Sequence, residues 1–308
     1  MSAAGPLMLL VTGGQGQLGR DLVAAAARAG ITRVCAPGSA ELDVTDPAAV
    51  SHAVAECSGR GTRLVVVNAA AYTAVDAAEG EGATRAQAVN AEGPVHLARA
   101  CAAHQAHLVQ VSTDYVFAGD AEGPNRVDDP TLPRTRYGRT KLAAEQAVLT
   151  CGASAHVVRT AWLYGAHGSN FVRTMIRLER ERDTVRVVCD QRGNPTWTAD
   201  LADGLIALAL AADRVPAGVL HCVNAGSTTW FGLARAVFAE IGADPQRVQP
   251  CSTAEFPRPA PRPANSVLDT SSWTAAGLPA LRPWRDALTA FVSGKGCDNT
   301  VTHSRARR

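Results

Sequence analysis

Short unbroken apolar runs alternate with longer stretches whose apolar positions recur every three or four residues, and this alternation fills the first half of the chain. Residues 7–11, 31–36, 64–67, 107–111 and 155–159 read as strands, continuous enough in hydrophobicity to be buried on both faces. Between them, residues 20–28, 47–57, 93–105 and 137–149 read as helices. Repeated strand–helix units of this length predict an α/β fold, a doubly wound parallel Rossmann sheet with helices on both faces. Beyond residue 160 the pattern loosens into a helix over 201–212, a strand over 218–223 and a helix over 231–241, with Ser227, Thr228 or Thr229 available to cap it. Five prolines between 250 and 263 predict an extended loop, and residues 284–292 a last helix. The expected organisation is a dinucleotide-binding domain over 1–160, and a smaller C-terminal substrate-binding part over 161–292 that returns some elements to the main sheet. Residues 293–308 read as a disordered polar tail.

Composition narrows the classes without changing this picture. The chain has 308 residues and a formal net charge of +2, so no global field calls for nucleic acid or an anionic membrane surface. Eight cysteines are scattered with no Cys-x-x-Cys pair, which argues against zinc and redox motifs and for a reducing, cytoplasmic setting. The longest apolar runs fall far short of a membrane span, and residues 1–6 lack the basic lead of a signal peptide.

Candidate chemistry gathers where the predicted strands end, which is where ligands bind in such sheets. After strand one, Gly13, Gly16 and Gly19 punctuate a turn that also holds Gln17 and Leu18 and opens a helix. Glycines there permit the tight turn and the approach of a pyrophosphate to the helix N-terminus. Asn68-Ala69-Ala70 follow strand three, and Ser112-Thr113-Asp114 follow strand four. Tyr137 and Lys141 lie one turn apart on a predicted helix, in a chain with only four tyrosines and two lysines. An ammonium fixed beside a phenol lowers its pKa and suits it to proton transfer. The end of strand two, Ala36-Pro37-Gly38-Ser39, offers no acid before Glu41 to grip a ribose hydroxyl. Arg20 or Arg33 is placed to meet a 2′-phosphate, so NADPH is the favoured cofactor, with NADH also admitted.

In this order the motifs resemble those of the extended short-chain dehydrogenases/reductases, and more narrowly of the dTDP-4-dehydrorhamnose reductase family. The stretches that carry the resemblance are GQLGR from Gly16, LDVTD from Leu42, NAAAYTAVD from Asn68, VSTDYVF from Val111, RTAWLY from Arg159, DQRGNPT from Asp190 and NSVLDT from Asn265. The resemblance implies reduction of the C4 ketone of a dTDP-linked 4-keto-6-deoxyhexose, with Thr113, Tyr137 and Lys141 as the catalytic set. Tyr137 would protonate the alkoxide and Thr113 would hydrogen-bond the same oxygen. Lys141 would bind the nicotinamide ribose and hold the phenol's pKa down. It further implies Asp43 near the adenine, and Asp114, Tyr115, Trp162 and Asn170 against the substrate, with Phe171 and Arg173 as weaker candidates. Each has a plainer role open to it: local backbone bonding for Thr113, core packing for Trp162, helix capping for Asp43, a solvated helix face for Arg173. Related dehydratases follow the threonine with Asp-Glu, and Tyr115 in the second place disfavours elimination. Some members bind Mg²⁺ through glutamates at a dimer contact. Here those positions read Asp21 and Ala199, which argues against a metal while leaving a homodimer admissible. A non-catalytic alternative is a regulatory subunit like that of methionine adenosyltransferase.

Overall fold

The computed structural model of the protein describes residues 6–59 and 61–295; the tail expected at 293–308 lies mostly outside them. In chain order, β1 (Leu7–Thr12), α1 (Gln17–Arg28), β2 (Arg33–Cys35), α2 (Pro47–Cys57) and β3 (Arg63–Asn68) form the first half of the sheet. α3 (Ala83–Gln87) runs through a π-helical turn, Ala88–Glu92, into α4 (Gly93–Ala103); β4 (His107–Thr113), α5 (Arg136–Thr150) and β5 (Ser154–Thr160) follow. Then come β6 (Leu163–Tyr164), α6 (Phe171–Glu181), β7 (Val185–Val188), β8 (Arg192–Gly193), β9 (Thr196–Trp197), α7 (Thr198–Ala211) and β10 (Gly218–His221). β11 (Thr228–Thr229), α8 (Trp230–Glu240), β12 (Val248–Cys251), α9 (Ser271–Ala275) and α10 (Trp284–Ala290) complete the chain.

Six strands pair in the order β10-β5-β4-β3-β1-β2, every pair parallel. The order reverses between β1 and β3, and the crevice this opens at their carboxyl ends is the expected ligand position. One face of the sheet is covered by α1 and α7, where Leu18, Leu22, Leu201, Leu205 and Leu208 meet Leu9, Val11, Val65 and Val67. α2, α4 and α5 cover the other through Val50, Val54, Leu97, Cys101 and Val148. Burial on both faces is why these strands carry no alternation. A separate cluster centred on Phe238, Phe291, Trp197 and Tyr164 builds the C-terminal part, yet α7 and β10 from that half complete the main sheet.

One expectation is corrected. Pro250, read as loop, lies inside β12, which pairs in parallel with β7 as a two-stranded sheet. With a single partner strand, a proline nitrogen can face away from the ladder. Arg173 stands exposed on an amphipathic helix, α6, as the solvated-face reading allows, while Val172 and Met175 of the same helix are buried in the C-terminal cluster.

At the amino ends of β4 and β5, remote from the crevice, two buried histidines form one directed chain. His156 Nε2 lies 3.0 Å from the Pro216 carbonyl and must donate. Its Nδ1 therefore accepts from His107 Nε2 at 2.7 Å, and His107 Nδ1 accepts from Ser154 Oγ at 2.9 Å. Every link is filled only while both rings are neutral. Burial, reinforced by His156, brings His107 from its ordinary 6.5 to about 4. Burial and the Arg159 guanidinium do the same to His221. Because these folded pKa values lie below the unfolded one, the stability they protect is complete above pH about 6.5 and declines as pH falls toward 4. Lowering pH from 7 to 5 should therefore destabilise the fold by on the order of 2 kcal/mol per histidine. Calorimetric melting against pH tests this, and a transition temperature that stays level over that interval would exclude it.

Candidate active site

The turn after β1 is shaped by what a side chain would strike. Gly13 has φ +69° and packs on Ala69 and Ala70, where an added Cβ would come within 2.9 Å of Ala70. A Cβ on Gly19 would stand 2.2 Å from the Gly13 carbonyl, so α1 lies directly against the turn. Gly16 differs, with only the Gly13 carbonyl near it, at 3.1 Å from a built Cβ. Gly16 is also the N-cap of α1 and offers no side chain to the first-turn amides. An uncapped helix start beside an open glycine suits a diphosphate. Gln17 and Leu18 begin the helix, with Leu18 buried and Gln17 Oε1 accepting from Asn170 Nδ2 at 2.9 Å.

Asn68, at the end of β3 beside this opening, is fully buried. Its Nδ2 donates to Gln110 at 2.7 Å, and its Oδ1 accepts from Thr12 and from the Ala70 amide, stitching the ends of β1, β3 and β4 together. Asp43 is an Asx turn, accepting from Thr45 N at 2.9 Å and pairing with Arg85 at 3.4 Å, while the cap of α2 is Asp46. Past the end of β2, Glu41 folds back to accept from Gly38 N at 2.7 Å, so a carboxylate does stand at that loop, while Arg33 is turned to Thr62. Arg20 stays at the turn, bonded to the Gln15 carbonyl at 3.1 Å.

Thr113, Tyr137 and Lys141 come together, all buried, at the carboxyl end of β4 and the first turns of α5. Thr135 caps that helix, accepting from Gly138 N at 3.0 Å, and Glu79 accepts from Arg136 N at 2.7 Å. Gly138 fits because a Cβ there would stand 2.2 Å from the Tyr115 carbonyl, which lets α5 press Tyr137 against the strand end. Tyr115 meets the Tyr137 ring edge-on at 5.6 Å. Burial pushes the Tyr137 phenol up to about 12, with the Thr113 hydroxyl pulling it down and the Asp114 carboxylate raising it further. Burial also lowers Lys141 to about 8, against the opposing charge of Glu145. The Lys141 ammonium donates to the Val111 carbonyl at 2.7 Å. In this state, then, desolvation outweighs the depression of the phenol's pKa that the Tyr-Lys spacing suggests.

Behind Lys141 lies a group the sequence reading overlooked. Glu145 and Arg159 form a buried pair, with contacts of 2.7 and 3.0 Å, and Ser112 donates to the same carboxylate. Arg159 also lies 4.9 Å over the Phe117 ring. Tyr137, Lys141 and Glu145 recur at intervals of four, so one helix face carries all three, and that spacing was the available signal.

The remaining candidates are divided. Asp114 is buried beside Thr113, which donates to its Oδ1 at 2.9 Å. Trp162 follows β5 with φ +49°, stacks on Trp230 at 3.6 Å and donates to Ser266 at 3.1 Å. Asn170 caps α6 through Arg173 N at 3.0 Å, so its side chain ties that helix to the glycine turn. Phe171 extends the aromatic run against Trp230. Asp21 accepts a hydrogen bond from Thr198.

A doubly wound sheet that sets a phenol and an amine one helical turn apart, against a strand-end threonine and beside a glycine turn, is that of an extended short-chain dehydrogenase/reductase. Within that class the chain belongs to the family described as RmlD substrate binding domain, which matches residues 7–295. It is 56% identical over 283 residues to a dTDP-4-dehydrorhamnose reductase of Streptomyces griseus, covering 91% of each chain. It is 52% identical over 282 residues to a probable dTDP-4,6-dihydroxy-2-methyloxan-3-one 4-ketoreductase of Streptomyces antibioticus, covering 91% of this chain and 92% of that one. A dTDP-4-dehydrorhamnose reductase of Bacillus anthracis, solved in complex with NADP, superposes with TM-score 0.86 at 34% identity, covering 92% of this chain and 98% of that one.

The close approach at Gly138 gives a direct test of the site's geometry. Gly138→Ala must displace the first turn of α5 from the Tyr115 carbonyl, and turnover should fall by about a hundredfold while the fold is kept. Steady-state kinetics with a melting curve checks this; unchanged kcat would mean that the contact does not position Tyr137.

Proposed function

We propose that the protein reduces the C4 ketone of a dTDP-linked 4-keto-6-deoxyhexose with a nicotinamide cofactor, NADPH preferred and NADH accepted. The observation that carries this reading is the joint burial of Thr113, Tyr137 and Lys141 at the strand end beside the open glycine turn. The nicotinamide, when bound, would supply a hydride to C4. Tyr137 gives its phenolic proton to the oxygen as negative charge develops there, and Thr113 hydrogen-bonds that oxygen. Lys141, held in this structure by the Val111 carbonyl, would bind the ribose hydroxyls of the cofactor, and its charge beside the phenol would favour the phenolate once the proton has left. Gly13, Gly16 and Gly19 admit the diphosphate, Ala69 and Ala70 wall the crevice opposite the turn, and Asn68 fixes that wall from behind.

The reading divides the labour between residues 1–160, which hold the dinucleotide, and residues 161–292, where Trp162, with Asp114 and Tyr115 from the first part, takes the sugar. The name of the Streptomyces griseus relative favours dTDP-4-dehydrorhamnose, and that of the Streptomyces antibioticus relative favours another 4-keto sugar. A cytoplasmic homodimer completes the proposal, and light scattering on purified protein would test the assembly.

Purified protein is expected to oxidise NADPH when given dTDP-4-keto-6-deoxy-L-hexose, with the product sugar identified by NMR. Absence of any substrate-dependent loss of nicotinamide absorbance would sink the proposal. Tyr137→Phe should cut turnover by at least about a hundredfold and leave cofactor binding intact. A near-normal rate would remove Tyr137 from the chemistry.

A further inference from the structure

Asp114 is a buried carboxyl group only half satisfied. It is 3% exposed, its Oδ1 accepts from Thr113 Oγ1 at 2.9 Å, and its Oδ2 has no hydrogen-bond partner among the described residues. Ser266 lies close enough to hold the Asp114 pKa down, but its single hydroxyl proton is also drawn to the Arg192 carbonyl at 3.2 Å, while its oxygen accepts from Trp162. The groups facing Asp114 are Thr113 and Tyr115 of its own segment, Ser266 from the C-terminal half and the Tyr137 phenol from α5. α5 also carries the charged Lys141 and Glu145, and Arg262 and Asp76 act on Tyr115.

The difficulty this creates for the reductase is one of counting. Thr113 has one hydroxyl proton and an oxygen that can accept twice. The Tyr115 amide already donates to that oxygen at 3.2 Å, and the proton is directed at Asp114. A hydroxyl that gives its proton to a carboxylate has none for a sugar oxygen. If the Asp114 carboxyl is neutral, it becomes the donor instead. Thr113 then accepts from both Asp114 and the Tyr115 amide, and its own proton is free. Both acceptor positions on the threonine oxygen are then filled, and its proton is free for the Tyr137 phenol oxygen beside it and for the sugar oxygen that Tyr137 protonates.

We propose that Asp114 is a positioning residue whose protonated carboxyl turns the Thr113 hydroxyl toward the reacting sugar oxygen, and whose ionised form turns it away. This rests on the ketoreductase reading above. Asp114 gives up no proton in the cycle: the carboxyl keeps its hydrogen, Tyr137 supplies the one that joins the alkoxide, and only the direction of one hydrogen bond changes. Burial supports the device, lifting Asp114 to about 6 against the Thr113 and Ser266 hydroxyls. Closing the site over cofactor and sugar removes more water and adds phosphate charge, both of which favour the neutral acid further.

The test is the pH profile of kcat for NADPH-dependent reduction of dTDP-4-keto-6-deoxy-L-hexose by the full chain. Wild-type kcat should fall about tenfold per pH unit above the pKa of Asp114 in the complex. Asp114→Asn is always neutral and can donate through its amide, so it should turn over at a reduced plateau with that step gone. NADPH fluorescence and melting establish that the variant is folded. If D114N keeps the step, or is folded and inactive at every pH, the proposal is overturned. Should D114N fail to fold, Thr113→Val decides: its residual turnover must be level across the same interval, and a persisting step overturns the inference. Wild-type protein without turnover at any pH would instead remove the ketoreductase reading, and this inference with it.

Discussion

The Glu145–Arg159 pair is the interaction on which the site depends. It joins α5 to β5 while Ser112 adds β4, so three elements meet at one carboxylate immediately beneath the catalytic candidates. Taking two charges out of water is costly, and such a pair holds only when its remaining donors and acceptors are filled. Here they are: the guanidinium reaches Glu145 twice, the Val127 carbonyl and the edge of His221, and it lies over Phe117. Removing one partner of such a pair costs roughly 3–5 kcal/mol because the other charge is left alone. The lysine benefits directly, since the Glu145 charge opposes the desolvation that would otherwise neutralise it.

Much of this was legible in the sequence because burial on two faces leaves a simple mark. Strands sandwiched between helix layers show unbroken apolar runs, and the five in the first half were read within a residue or two of their bounds. The glycine turn was legible for a similar reason, because close approach demands an absent side chain. Tyr137 and Lys141 stood out in a chain that otherwise uses arginine for positive charge.

What stayed hidden needed neighbours distant in sequence. Glu145 on a helix looks like any solvated acid until Arg159, fourteen positions on, is seen in register with Ser112. Asn68 reads as a ligand contact from its place at a strand end, while its polar atoms are taken by Thr12 and Gln110 of flanking strands. Glu41 stands six residues beyond β2, but the loop turns back and returns its carboxylate to Gly38. Opposing effects on one group were equally hard to read. Tyr-Lys spacing suggests a depressed phenol pKa, yet burial of both groups outweighs it, with the lysine held by the Val111 carbonyl.

Trp162 carries a last implication. Its backbone occupies the left-handed region, which costs a non-glycine residue about 1–2 kcal/mol and persists only where surroundings impose it. Those surroundings are the indole of Trp230 at the start of α8 and the hydroxyl of Ser266, both far along the chain. The orientation of this indole is therefore set by residues of the C-terminal half, distant in sequence from Thr113, Tyr137 and Lys141. On the proposed reading, substitutions around α8 and Ser266 would turn this indole, and with it the choice of sugar, without touching Thr113, Tyr137 or Lys141.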